Sequence, residues 1–228
     1  MTDKKRSLII VITVLFLCAV MAIVDGILKA EYFAKSLIKL ALFSGAPVLY
    51  LAFDKKTNLC SVFSFDKKGI KTALFLGIAV YAVILLGYLL LKDIFDFSAI
   101  TGALAGGVGV TGGNFVFVSL YISFVNSLLE EFFFRGFAFL SLRNLSSSRF
   151  AYIFSAAAFS LYHVAMMTGW FSLPLFVLVL AGLFAGGLIF NLLNAKSGTL
   201  YPSWLVHMFA NFAINTVGFM LFGIIPTP

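Results

Sequence analysis

The side chains of this sequence that could do chemistry are charged residues inside a long apolar run. Residues 115–140 are mainly apolar, and their only charges are Glu130, Glu131 and Arg135. A charge at the centre of a membrane costs a few kcal/mol, so three of them need a reason. Glu131 and Arg135 stand four apart, in the order that favours an ion pair on one helical face, and could be purely structural. Glu130 has no such partner in its own segment and is the functional candidate.

Both histidines of the chain, His163 and His207, also lie in apolar runs. Asn211 follows His207 by four residues and Phe159 precedes His163 by four, so each histidine shares a helical face with one of them. Either histidine alone could be a hydrogen-bonded structural group. Together with the carboxylate of Glu130, the two imidazoles and the carboxamide contain the parts for hydrolysis.

Two mechanisms fit these residue types. In the first, Glu130 is the general base for a water that His163 helps to orient. His207 and Asn211 then donate hydrogen bonds to the developing oxyanion. In the second, Glu130, His163 and His207 are the ligands of a catalytic zinc whose fourth ligand is water. The cofactor therefore stays open between zinc, another divalent metal and none.

The composition indicates a membrane protein. The 228 residues are 62% hydrophobic and 11% charged, with a mean hydropathy of +1.08, whereas soluble domains are about a quarter charged. A spanning helix needs about 20 apolar residues, so we expect an all-α, polytopic bundle of about seven or eight transmembrane helices. The net charge of +7 comes from short loops between apolar runs, so the expected partner is the lipid bilayer and not nucleic acid.

Seven apolar runs are long enough to span a membrane, and we expect the first to be an uncleaved span. The second contains Lys39, whose ammonium group we expect to reach the membrane interface. A glycine-rich segment, residues 98–114, is expected to be re-entrant or interfacial. It separates three N-terminal helices, residues 1–97, from a catalytic helical core, residues 115–228. The predicted spans are residues 8–28, 37–53, 72–91, 115–140, 150–167, 174–194 and 200–225.

The distribution of basic residues predicts the orientation. Eleven Lys and Arg residues fall on the side of the N-terminus and three on the opposite side, which predicts that the N-terminus is in the cytoplasm. As a separate expectation, the membrane is that of a bacterial cell. The eleven are Lys4, Lys5, Arg6, Lys55, Lys56, Lys67, Lys68, Lys71, Arg143, Arg149 and Lys196, and the three are Lys29, Lys35 and Lys92.

Three short motifs give the sequence a resemblance to the CPBP family, the CaaX protease and bacteriocin-processing enzymes, also called Abi. Three motifs in the family's order, which use both histidines and two of the three glutamates, are specific. The resemblance covers roughly residues 115–215. The EExxxR motif is matched by Glu130, Glu131 and Arg135, FxxxH by Phe159 and His163, and HxxxN by His207 and Asn211.

The resemblance implies an intramembrane endopeptidase whose four core helices enclose a water-accessible cavity. It implies that Glu130 is the essential carboxylate and base, and that His163 helps to activate water. His207 and Asn211 would stabilise the oxyanion, and the other two residues of EExxxR would form a supporting pair. The family is usually labelled metalloprotease, although a glutamate mechanism without metal has also been argued. The expected substrate is a membrane-associated peptide or protein.

Two other functions stay open. A scaffold or bacteriocin-immunity protein would bind a partner without hydrolysis, and its function would survive Glu130→Gln. A proton-coupled carrier would also use intramembrane Glu and His, but such carriers often have repeated halves, and here the polar residues lie in one half. For the protease, the glycine-rich segment is a candidate gate for substrate.

Overall fold

The computed structural model describes residues 1–54 and 59–228, and within them the regular structure is entirely helical. This confirms the predicted all-α fold class. Lys55 and Lys56, two of the basic residues used for the orientation, lie outside the described residues. The helices are α1 (Asp3–Gly26), α2 (Tyr32–Phe53), α3 (Lys67–Leu91), α4 (Ser98–Val108), α5 (Phe115–Leu145), α6 (Ser148–Met167), α7 (Leu173–Ser197) and α8 (Tyr201–Leu221), with a short 3₁₀ helix at Cys60–Phe63.

All of these helices except α4 are long and apolar enough to cross a membrane, so the seven predicted spans are confirmed. Helices α1 and α3 begin more than a turn before their apolar runs do, because polar caps set their ends. The side chain of Thr2 accepts a hydrogen bond from the backbone of Lys5 at the start of α1. Asp66 caps α3 in the same way, through the backbone N–H groups of Lys68 and Gly69.

The glycine-rich segment forms the short helix α4 and an ordered turn. Eleven residues give a helix of about 16 Å, roughly half the hydrocarbon thickness of a bilayer. The helix ends at Gly109, whose φ of 70° suits a residue without a side chain. Asn114 closes the turn, since its side chain accepts from Thr111 N and donates to Gly109 O. The segment is thus too short to span, and its depth in the membrane stays a prediction.

Helix α5 is the axis of the bundle. It packs against α1, α2, α6, α7 and α8. Two of its stretches, Tyr121–Asn126 and Glu131–Leu140, are π-helical, a form that is frequent at functional sites. In the second stretch, eight of ten residues are buried. A helix buried on all sides has no lipid-facing stripe, so its charged residues face other helices.

Stacked aromatic rings fix α2 against α5. Phe43 of α2 stacks on Phe133 of α5 with 4.0 Å between ring centroids, and it meets Phe134 edge-on. Tyr50 contacts Phe137 two turns further along, at 5.4 Å. Rings at this separation attract one another beyond their buried area. This packing sets the register of α2 on α5. In that register Lys39 and Glu130, which lie one turn before Phe43 and Phe133, meet each other.

Helix α8 is held from the other side by α3. The ring of Phe209 on α8 lies over Gly77 of α3, where a Cβ atom would come within 2.5 Å of it. Tyr81 and Thr216 share a hydrogen bond of 3.1 Å across the same pair of helices. The close approach therefore depends on a glycine, and it fixes the helix that carries His207 and Asn211.

Candidate active site

Glu130 lies at the centre of the site, with 2% of its surface exposed. Its Oε2 atom faces both histidines, at 3.7 Å from Nε2 of His207 and 4.0 Å from Nε2 of His163. Helix α6 carries His163 and helix α8 carries His207. The structure therefore brings together, around one carboxylate oxygen, three residues that are far apart in the sequence.

The other oxygen of the same carboxylate is bound by Lys39 of α2. Lys39 Nζ donates a short hydrogen bond to Glu130 Oε1 and another, of 2.6 Å, to Asn126 Oδ1. Asn126 Nδ2 in turn donates to Glu130 Oε1 at 3.1 Å. The two oxygens of Glu130 thus have separate environments: Oε1 faces a cation and an amide, and Oε2 faces two imidazoles.

The expectation that Lys39 reaches the membrane interface is wrong, since the residue is only 6% exposed and its ammonium group points into the bundle. It lies seven residues into α2, about 10 Å from the start of the helix. Its partner there is the buried carboxylate of Glu130 on α5, and charged residues inside a membrane bundle commonly pair in this way. The only feature of the sequence that pointed to Lys39 as part of the site was its position as a single basic residue in an apolar run. Asn126, four residues before Glu130, was also missed.

Each histidine is oriented through its Nδ1 atom. His163 Nδ1 lies 2.7 Å from the carbonyl of Phe159. A carbonyl can only accept, so Nδ1 is the donor, and Nε2 of the neutral ring is an acceptor that faces Glu130. His207 Nδ1 lies 2.9 Å from Oε1 of Glu131 and donates to that carboxylate. Both Nε2 atoms are thereby directed at the same oxygen of Glu130.

Glu131 and Arg135 lie behind His207. Arg135 is fully buried, and its NH1 atom is 3.5 Å from Oε1 of Glu131, the oxygen that binds His207. The guanidinium carbon lies 4.1 Å from the ring centroid of Phe159 and 4.9 Å from that of Phe190. Cation–π contact with aromatic rings is a common way to hold a desolvated guanidinium. Phe159 therefore serves both neighbours, Arg135 through its ring and His163 through its carbonyl.

Asn211 is placed beside the site but is tied to the backbone of α5. Its Nδ2 atom donates to the carbonyl of Ile122 at 3.1 Å, at a π-helical turn of α5. One turn later, Asn215 donates to Ser119 O and Ser123 Oγ. Among the described residues, Asn211 thus bonds to this backbone carbonyl and not to the carboxylate of Glu130. These polar contacts join α8 to α5.

The predicted ligand set for zinc does not match a metal site. Within residues 1–54 and 59–228, no group of three or more His, Cys, Asp or Glu side chains is arranged to hold a metal ion. The ammonium of Lys39 already binds Oε1 of Glu130. The positive charge of this ammonium opposes the binding of a divalent cation by the same carboxylate. Glu130, His163 and His207 therefore meet, but as a cluster balanced by a lysine.

A cavity of about 530 Å³ lies between α2 and α5, the helices that carry Lys39 and Asn126. Ser36 and Tyr121 line it, each about a turn from one of those residues, and Gly109 borders it after α4. Most of its wall is apolar. The glycine-rich segment thus borders this cavity through Gly109 and Asn114.

Comparison with known proteins gives one family. Residues 112–213 match the model described as Type II CAAX prenyl endopeptidase Rce1-like. The matched segment is just under half of the chain, and it contains all seven residues of the three motifs. No curated protein and no solved structure matches the chain. The CPBP resemblance is confirmed for this segment.

Proposed function

We propose, from the premise that residues 112–213 belong to the Rce1-like CPBP family, that this chain is an intramembrane endopeptidase. It hydrolyses a peptide bond of a membrane-associated peptide or protein with a water that Glu130 activates. The observation that carries the proposal is the divided carboxylate of Glu130, with Oε1 neutralised by Lys39 and Oε2 directed at two imidazoles.

The water binds between Glu130 Oε2 and the two imidazole Nε2 atoms. Gaps of 3.7 and 4.0 Å are too long for direct hydrogen bonds and suit a bridging water. Glu130 takes one proton from this water, and the oxygen adds to the peptide carbonyl. Nε2 of His163 accepts a hydrogen bond from the other O–H, which stays on the oxygen, and so orients the attack. The proton held by Glu130 then passes to the amine nitrogen as the C–N bond breaks.

The negative oxygen of the tetrahedral intermediate needs donors. His207 Nδ1 donates to Glu131 and its Nε2 atom is directed into the site, so Nε2 is a donor to the oxyanion when the ring carries both protons. Asn211 Nδ2 carries two hydrogens and gives one to the backbone, so the other is available. Each such donor is worth about 3 kcal/mol in acyl transfer. No step of this mechanism passes through a metal.

The test compares peptide termini in membranes and medium of cells that express wild type or Glu130→Gln at equal levels. We expect some termini with wild type only, which would identify the substrate and the cleaved bond. Asp93→Asn, at an exposed carboxylate after α3, is the matched control and should resemble wild type. Identical termini with wild type and Glu130→Gln, with any phenotype intact, would instead support the scaffold.

The family name also suggests a substrate class to test. The matched model is described as a prenyl endopeptidase for CAAX sequences, so a farnesylated CaaX peptide is one probe. An unprenylated peptide precursor or membrane segment is the other. Cleavage of the farnesylated peptide alone would assign CaaX processing, and cleavage of unprenylated peptides would assign a broader membrane peptidase.

A further inference from the structure

We infer that Lys39 is the positioning residue of Glu130, an inference that rests on the proposed function. By binding Oε1, it holds the carboxylate so that Oε2 alone faces the two imidazoles and the reacting water. Lys39 lies on α2, outside the segment that matches the family. The site is thus completed by a residue that none of the three motifs contains.

The contacts of Lys39 restrict its ammonium group on several sides. Nζ donates to Glu130 Oε1 and to Asn126 Oδ1. It also lies 4.9 Å from the ring centroid of Tyr162 and 5.6 Å from that of Phe43. A cation attracted by both carboxylate and aromatic faces is strongly localised when it is desolvated. The group therefore acts as a fixed charge and not as a mobile surface lysine.

Asn126 makes the arrangement directional. Its amide donates to Glu130 Oε1 and accepts from Lys39, which closes a three-membered polar ring on one side of the carboxylate. Lys39 and Asn126 thus both donate to Oε1, and Oε2 is left to the histidines. Without the ammonium, only one amide donor would hold Oε1, and the carboxylate could rotate away from the attack geometry. A misplacement of about 1 Å can cost roughly a hundredfold in rate.

The experiment uses the purified full chain in liposomes and a quenched fluorescent peptide. The peptide spans the bond that the comparison of wild type with Glu130→Gln shows to be cleaved. Lys39→Met removes the charge with a side chain of similar length, and Lys39→Arg retains it. Lys35→Met is the matched control, because Lys35 lies one turn earlier on α2 and pairs with Asp25 at 3.2 Å instead of with Glu130.

We expect Lys39→Met to lower kcat about a hundredfold with KM changed less than about threefold, because Lys39 orients the base and does not bind substrate. Lys39→Arg should recover most of this loss. Lys35→Met should keep kcat within about twofold of wild type. The inference is overturned if Lys39→Met keeps wild-type kcat, or if Lys39→Arg is no better than Lys39→Met.

A second measurement needs no substrate. Thermal unfolding of wild type, Lys39→Met, Glu130→Gln and the double variant forms a mutant cycle. Each single change leaves a buried group unpaired, so the double variant should melt higher than the sum of the single losses predicts. Additive losses would overturn the inference whether or not any peptide is cleaved. If the two losses are coupled but wild type cleaves no peptide, the proposed function is rejected and, with it, the role of Lys39 in turnover.

Discussion

Replacing Glu131 with glutamine separates two tasks that one carboxylate performs. Its Oε1 atom accepts a hydrogen bond from His207 Nδ1 at 2.9 Å and lies 3.5 Å from NH1 of Arg135. Both partners are buried, and Arg135 is fully so. Glutamine keeps an oxygen of the same reach but removes the negative charge. The variant therefore weakens the orientation of His207 and leaves the guanidinium without a counter-ion.

The two losses have different sizes. Removing one partner of a buried ion pair costs about 3–5 kcal/mol of stability, mainly because the remaining charge is uncompensated. A hydrogen bond to a charged acceptor is worth about 1.5–3 kcal/mol and a neutral one about 1. The difference of about 0.5–2 kcal/mol, if it is lost from the transition state, lowers kcat by roughly two- to thirtyfold. Stability and turnover should thus both fall.

A second change tells these losses apart. In Glu131→Gln/Arg135→Met the uncompensated cation is gone, so the melting temperature should rise above that of Glu131→Gln. Turnover should stay low, because His207 still donates to a neutral acceptor. The assay is peptide cleavage in liposomes beside thermal unfolding of the same preparation. Wild-type turnover in Glu131→Gln, or full recovery of turnover in the double variant, would refute the role of Glu131 in orienting His207.

Three further predictions concern the metal, the aromatic platform and the gate. Turnover should survive prolonged treatment with the chelator 1,10-phenanthroline. A loss of turnover that added zinc restores would contradict the conclusion that Lys39, and not a metal ion, balances the charge of Glu130. Phe159→Leu should lower the melting temperature more than Phe154→Leu on the same helix, because it removes about 1–2 kcal/mol of cation–π contact with the buried guanidinium; equal losses would count against it. Gly102→Ala with Gly106→Ala, where a Cβ meets no atom within 4 Å, should stiffen α4 and slow turnover about fivefold, whereas Gly87→Ala in α3 should not. Unchanged kinetics would remove the gate.

Hydrophobicity predicted the spans because the bilayer constrains each helix by itself. The seven apolar runs all appear as long helices. Their ends were less predictable, because Thr2 and Asp66 extend α1 and α3 through charged residues that hydropathy alone excludes. The π-helical stretches of α5 have no signature in an apolar pattern. The orientation of the N-terminus and the bacterial membrane stay predictions.

The contacts of the site that could be predicted are those between residues of one helix, because their spacing in the sequence determines whether they share a face. Glu131 with Arg135 and Phe159 with His163 are pairs four residues apart, and both are in contact. Lys39 was not predictable, since its partner Glu130 is 91 residues away and only packing brings them together. A lone lysine in an apolar run fits an interfacial position equally well. The contact is decided by the stacking of Phe43 on Phe133.

The two adjacent glutamates of α5 have different roles in the site, and their charges are balanced by cations from two different helices. Glu131 is balanced by Arg135 from its own helix, whereas Glu130 is balanced by Lys39 from another. A local pair depends on α5 alone, so the charge on Glu131 is balanced before any other helix docks. The charge on Glu130 is balanced only when α2 has docked on α5. An unbalanced carboxylate in the membrane is costly, so the reactive centre needs α2 to dock on α5 as well as the helices that carry the two histidines.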